Sequence, residues 1–129
     1  MAQTVGFLGP RGTFSDEAVG LWNPAAERWP CATLAEVVEV VADGRVDQAL
    51  APVENSLAGG VNAVVDHLVA TPGVRIIGEL LLPVDIHLIG RPEARPGGIR
   101  TIYSKAGALE QCGAYLASHY PGIVKKAWS

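Results

Sequence analysis

Pro52-Val53-Glu54-Asn55-Ser56-Leu57-Ala58-Gly59-Gly60 is the stretch on which the reading of this chain turns. The apolar end of a strand gives way to polar residues and then to two glycines. Asn55 and Ser56 are side chains that accept from the open N–H groups of a helix's first turn, so a helix start is expected here. Gly59 and Gly60 strip side chains from that turn and leave its backbone open to a ligand. A helix start of this kind holds small anions. On local chemistry alone, the stretch reads as a capped helix after a buried strand.

Outward from it, the elements alternate. A short apolar strand is expected over residues 4–8, followed by the turn Gly9-Pro10-Arg11-Gly12. Ser15 caps a helix reaching about Trp22, with Asp16 and Glu17 favourably placed in its first turn. A short strand follows over residues 29–32. Thr33-Leu34-Ala35-Glu36 is a capping box. Its helix carries Val37, Val38, Val40 and Val41 and stops near Asp43-Gly44. Residues 48–53 form a strand. Val61, Val64, Val65 and Leu68 then recur at helical spacing until Pro72-Gly73, and residues 74–77 form another strand. The β-α-β-α-β-α-β order predicts an α/β fold, a mostly parallel sheet with helices on both faces. Ligands of such sheets sit at the carboxyl ends of strands, where residues 9–15 and 54–60 both fall.

The pattern changes near Gly78. Residues 79–89 are a long extended run interrupted by Pro83, which disfavours a central strand and suits a crossing from one lobe to another. Residues 90–98 read as an exposed loop. A strand over 99–103, the turn Ser104-Lys105-Ala106-Gly107, a helix from about Ala108 to His119 and a strand over 123–128 complete the chain. The domain reading is a first α/β lobe over residues 1–78 and a crossover with a partial second lobe over residues 79–129.

Composition narrows the function. Ten Lys and Arg against thirteen Asp and Glu give a net charge of −3, which argues against a nucleic-acid binder. No apolar run approaches the roughly 20 residues of a membrane helix, and Met1-Ala2-Gln3-Thr4 lacks the marks of a secretory signal. A cytoplasmic protein is expected. Cys31 and Cys112 lack metal or C-x-x-C spacing and read as buried thiols in a reducing compartment. His67, His87 and His119 are scattered without metal-ligand spacing. Gly6, Gly9 and Gly12 do not match a dinucleotide loop, and no G-x-S-x-G elbow surrounds Ser56.

Four ordered stretches resemble prephenate dehydratase, the lyase of phenylalanine biosynthesis. They are Gly9-Pro10-Arg11-Gly12-Thr13-Phe14-Ser15, Pro52-Val53-Glu54-Asn55-Ser56, Gly78-Glu79, and Ser104 with Gln111-Cys112. The resemblance implies a two-lobed, type II periplasmic-binding-protein-like fold of mostly parallel sheets with flanking helices, here with its second lobe incomplete. It implies decarboxylating dehydration of prephenate to phenylpyruvate in a cleft, with no metal or organic cofactor. By resemblance, Asn55, Ser56, Ser104 and Gln111 line the substrate cleft, Glu54 orients its loop, and Thr13 and Ser15 belong to the first loop. Prephenate is a dianion, and the helix starts near Ser15, near Asn55-Ser56 and after Ser104 are its expected anion sites. Asp16 and Glu17 oppose the first of these by repulsion.

Two features depart from the family. Lys105-Ala106-Gly107 stands where His-Pro-Gln is usual, and no Thr-Arg-Phe occurs, so the threonine that the resemblance would make the proton donor is absent. No catalytic residue is assigned, and weak or absent turnover by this chain alone is expected. The alternatives are a small-carboxylate binding module without chemistry and a half-subunit completed by another chain. The apolar final strand, with Val124, Ala127 and Trp128, predicts a homo-oligomer that buries it, by segment exchange in one form.

Overall fold

The computed structural model describes residues 1–57 and 59–128. Ala58, within the opening stretch, and Ser129, the last residue of the second lobe's range, lie outside the described residues. The chain divides into two compact units, one from Met1 to Val84 and one beginning at Asp85.

In the first unit, β1 (Thr4–Leu8) is the middle strand of a parallel sheet ordered β2-β1-β3, with β2 at Glu27–Cys31 and β3 at Gln48–Leu50. A middle strand covered on both faces must be apolar in both directions. Val5 and Phe7 are fully buried and pack with Val19 of α1 (Phe14–Trp22). Successive strand residues face opposite ways. Leu8 accordingly joins the other cluster, with Val37 and Val40 of α2 (Leu34–Ala42) and with Cys31 and Val46. Gly6 lies on that same side because a Cβ there would stand 3.1 Å from Val40 Cγ2.

The threonine half of the capping box forms as the sequence predicts, and the glutamate half reaches one residue further back. Thr33 Oγ1 accepts from the Glu36 N–H at 3.1 Å, and the Glu36 carboxylate accepts from the Ala32 N–H at 2.7 Å. The first helix differs from expectation. It is capped by Thr13, whose hydroxyl accepts from the Asp16 N–H at 3.3 Å, and Ser15 lies inside α1. Threonine two positions earlier supplies the capping hydroxyl, so the helix starts two residues sooner.

The opening stretch also departs from expectation. Glu54–Asn55 (β4) and Gly59–Gly60 (β5) pair antiparallel, and the helix α3 begins only at Asn62, running to Ala70. Asn55 Oδ1 accepts from the Leu57 N–H at 2.9 Å, a local turn that competes with helix. Two glycines make a helical first turn entropically costly, and Gly59 takes a φ of +83° that only glycine adopts freely. The hairpin closes where the Val61 N–H donates to Val53 O at 2.8 Å. The strand expected over 48–53 therefore ends at Leu50, and α3 starts without a side-chain cap.

Residues 74–77 form no strand. Val74, Arg75 and Ile76 instead border an apolar groove of about 430 Å³ with Val53, Val65, Leu68 and Val69. Further on in the same unit, Gly78 lies close against the Trp22 ring. A Cβ on Gly78 would stand 2.7 Å from Trp22 Cη2, and the Trp22 indole N–H donates to Gln48 Oε1 at 2.9 Å.

The second unit pairs β6 (Thr101–Ser104) with β7 (Val124–Ala127) in parallel. Two short helices connect them, α4 (Ala106–Gln111) and α5 (Gly113–His119), where the sequence predicts one. The break at Cys112 precedes Gly113, a poor helix interior residue. Ile102 and Leu116 are buried. Thr101, Tyr103, Val124, Lys126 and Trp128 share the other face by alternation and register. There, Tyr103, Val124 and Trp128 are about half exposed. The fold is α/β, with parallel sheets and flanking helices, as the resemblance implies.

One glycine in α1 answers to a charge on β2. A Cβ at Gly20 would meet Arg28 Nη2 at 2.7 Å. Glycine to alanine inside a helix ordinarily stabilises by about 0.8–1 kcal/mol. Here Gly20→Ala is expected to give no gain or a loss, and to regain its usual benefit in an Arg28→Ala background. Urea unfolding of the four proteins measures this; equal gains in both backgrounds would show that the guanidinium does not hold the space.

Candidate active site

The order β2-β1-β3 contains a reversal. The chain moves from β1 to β2 on one side, then crosses β1 to reach β3 on the other. Adjacent strands whose connections leave in opposite directions form a crevice at their carboxyl ends, the usual ligand position in open α/β sheets. Here those strands are β1 and β3. Their exits, Gly9–Thr13 and Ala51–Asn55, overlap the stretches Gly9–Ser15 and Pro52–Ser56 that carry the family resemblance.

The first exit is tightly specified. The Gly9 N–H donates to Cys31 O at 2.8 Å, fixing the loop beside the end of β2. The Thr13 hydroxyl lies 3.0 Å from Pro10 O and 3.3 Å from Leu8 O while capping α1. Gly12 has a φ of +84° with open space where a Cβ would be, so glycine is required by conformation and not by crowding.

Asp16 locks this loop from below. Its Oδ2 accepts from the Gly12 N–H at 2.8 Å, and its Oδ1 pairs with Arg28 Nη1 at 2.9 Å. Arg28 also donates to the Asp16 carbonyl at 3.3 Å. The Gly12 amide, and after it Arg28, hold the Asp16 carboxyl below the usual carboxylate range against the opposing effect of burial. Asp16 is buried and its charge is spent on internal partners. The expected repulsion of an anion by Asp16 is thereby corrected; Glu17 remains exposed at this helix end.

The remaining sequence-predicted residues divide by location. Thr13 and Ser15 lie two residues apart at the first exit; the Ser15 side chain is half-buried and makes no hydrogen bond among the described residues. Glu54, Asn55 and Ser56 are exposed together on the hairpin after β3. No helix N-terminus stands at Asn55-Ser56, so the anion site expected there on that ground is withdrawn. In the second unit, Ser104 is the half-buried last residue of β6, and its carbonyl accepts from the Trp128 N–H at 3.2 Å. Gln111 is exposed at the far end of α4. A six-residue helix rises roughly 9 Å, so Ser104 and Gln111 are set at opposite ends of it and no hydrogen bond joins them.

Other polar groups are structural. Among the described residues, no group of three His, Cys, Asp or Glu is placed to hold a metal ion. Burial, and then the Glu36 carboxylate, push the Cys31 thiol up, which marks an inert core thiol. Cys112 is half-buried where a buried thiol was expected. The His119 ring stacks on Tyr115 with centroids 4.1 Å apart. Sequence reasoning missed Arg28. Its signal was weak, a single basic residue in a strand opposite an acidic first helical turn.

Comparison with known proteins follows the same lines. The sequence model of the family described as prephenate dehydratase matches residues 5–129. Prephenate dehydratase of Bacillus subtilis (strain 168) is 35% identical over 122 residues, covering 92% of this chain and 43% of that protein. A crystal structure of prephenate dehydratase from Arthrobacter aurescens in complex with L-Phe superposes with a TM-score of 0.86 at 35% identity, over 98% of this chain and 42% of the other. A structure of GqqA, described as a novel type of quorum quenching acylase, gives a TM-score of 0.80 at 29% identity, over 98% and 45%. The chain thus spans less than half the length of these relatives.

The Asp16 lock has a pH signature. A carboxylate whose folded pKa lies below its unfolded value of about 3.9 adds stability above that value and loses it as pH falls through the folded one. The protein is expected to melt higher than Asp16→Asn at pH 7, with the gap closing as pH drops below about 4. Thermal melts across that range measure it; a gap that stays constant, or widens in acid, would remove the ionised lock.

Proposed function

This chain belongs to the prephenate dehydratase family, and on that footing we propose that it binds prephenate as part of a lyase site producing phenylpyruvate. The observation that carries the reading is the position of the Gly9–Thr13 and Ala51–Asn55 exits at the reversal between β1 and β3. Prephenate loses carbon dioxide and the ring hydroxyl, and aromatisation drives the reaction. The protein's task is to hold two carboxylates, keep the ring oriented and deliver a proton to the departing oxygen. Asn55 offers an amide to substrate oxygens and Glu54 orients its hairpin. Ser56, with Thr13 and Ser15 of the first loop, completes the set in the first unit. Ser104 and Gln111 are assigned to the substrate on family resemblance alone. No Thr-Arg-Phe occurs in the 129 residues, so binding with little turnover is expected of this chain by itself.

Calorimetric titration with prephenate, alongside an assay for phenylpyruvate, tests the reading. Binding is expected, and Asn55→Ala should weaken it by about tenfold, the worth of a hydrogen bond to a charged group. No detectable binding would sink the proposal, and binding without turnover even after a separate C-terminal half is added would leave a carboxylate-binding module. Rapid turnover by the chain alone would demand another proton donor. The same preparation should leave N-acyl amide substrates intact; hydrolysis without phenylpyruvate would shift the reading toward the activity named for GqqA.

The residue 78 boundary between the first lobe and the crossover is retained as a functional division. A cytoplasmic setting is inferred from two cysteines without a disulfide, and no helix among the described residues is long and apolar enough to cross a membrane. The half-exposed Tyr103, Val124 and Trp128 support a homo-oligomer, since parallel sheets are normally covered on both faces. Light scattering at micromolar concentration is expected to give at least a dimer, including a segment-exchanged one; a monomer would contradict it.

A further inference from the structure

The sheet of the first unit ends at β2, whose outer side has no strand beside it. In a ladder, the N–H and C=O of one residue turn to the same side, and successive residues alternate. The Glu27 N–H donates to Gln3 O at 2.9 Å, and Cys31 O accepts from the Gly9 N–H at 2.8 Å. Glu27, Trp29 and Cys31 therefore turn their backbone groups toward β1 and its flanks. Arg28, Pro30 and the following Ala32 turn theirs outward.

Each outward residue is blocked in a different way. Arg28 O accepts from Arg11 Nη2 at 3.4 Å, a long bond that lays a charged guanidinium across the edge. Pro30 has no N–H to give. The Ala32 N–H donates to Glu36 Oε2 at 2.7 Å. Within the strand, Arg28 is left as the one residue with an outward N–H, whereas a paired strand needs donors at alternate positions. The three blocking residues come from the loop after β1, from β2 itself and from α2.

This edge has reason to be closed. Trp29 and Pro30 are exposed on it, so a free ladder here would lie beside apolar surface, the combination that lets like chains pair. A packing role for Pro30 is the competing reading, because a Cβ on Gly9 would stand 3.1 Å from Pro30 Cβ. That contact accounts for the glycine and not for the proline, since every residue but glycine carries a Cβ.

We propose that Arg11, Pro30 and Glu36 guard the outer edge of β2 and keep it from pairing with the same strand of a second copy. The first sheet is thereby closed to growth on this side, and association between copies is left to other surfaces. The guard holds whatever ligand the protein takes.

Light scattering and hydrogen exchange on the full chain, Pro30→Val, Arg11→Ser with Pro30→Val, and Arg45→Ser with Pro30→Val test it. Valine restores the N–H and suits a strand. Arg45 is paired with Asp43 and precedes β3, across β1 from β2, so its removal controls for lost charge alone. At micromolar concentration the Arg11 and Pro30 double variant is expected to reach about twice the wild-type mass, with amide exchange over residues 27–32 slowed about tenfold in the larger species. Pro30→Val, alone or with Arg45→Ser, should associate less. Thermal melts check folding, and if the double variant does not fold, Pro30→Val at higher concentration gives the same comparison with the wild type. Folded variants that all keep the wild-type mass, or a larger species without slower exchange over residues 27–32, would overturn the guard. Equal association with Arg45→Ser in place of Arg11→Ser would remove Arg11 from it.

Discussion

The Asp16 carboxylate is the contact on which the first unit's functional end depends. It reaches forward to the amide of Gly12 and sideways to the guanidinium of Arg28. One side chain thereby ties the loop after β1, the first turn of α1 and the body of β2 together. A carboxylate at a helix start is favourable in itself. Here it also relieves Arg28 of its charge and gives the Gly12 N–H a partner. Gly20 belongs to the same arrangement, since the missing side chain is the space the guanidinium fills.

The sheet explains why that loop is worth fixing. A strand flanked by neighbours on both sides and by helices on both faces cannot move without disturbing two clusters at once. Val5 and Phe7 commit one face to α1 while Gly6 and Leu8 commit the other to α2. The loop leaving such a strand starts from a rigid base, and the reversal between β1 and β3 places the hairpin of Glu54 and Asn55 at the same edge. Precision at a ligand site comes from supports of this kind.

Much of this was legible from residues alone. The strand of residues 4–8, the capping box at Thr33 and the valine-rich second helix agree at every level of local preference, and they appear almost as expected. Where signals had two meanings, reading failed. Asn55, Ser56 and two glycines fit a helix start and a tight hairpin equally, and the Asn55 side chain settled the matter by turning onto Leu57. Val74 to Ile77 has strand composition, yet a strand needs a neighbour, and this segment lies along α3 instead. Cys112 ended a helix that periodicity would have continued. For the candidate site, the two strand exits were visible from the alternation of elements. The pairing of Asp16 with Arg28 was not, because it joins residues twelve apart through a fold that had first to exist. Family membership is secured by the match over residues 5–129.

The order of strands also has a consequence for biosynthesis. Of the three strands of this sheet, the middle one is synthesised first. It has no lateral neighbour until Glu27–Cys31 has emerged, and its other edge stays open until Gln48–Leu50 follows. At roughly 5–20 residues per second, the wait for that second neighbour is on the order of 2–8 s. Throughout it, the face of β1 that carries Val5 and Phe7 has α1 to pack against but not yet Leu50, so full burial of the middle strand waits on the third one.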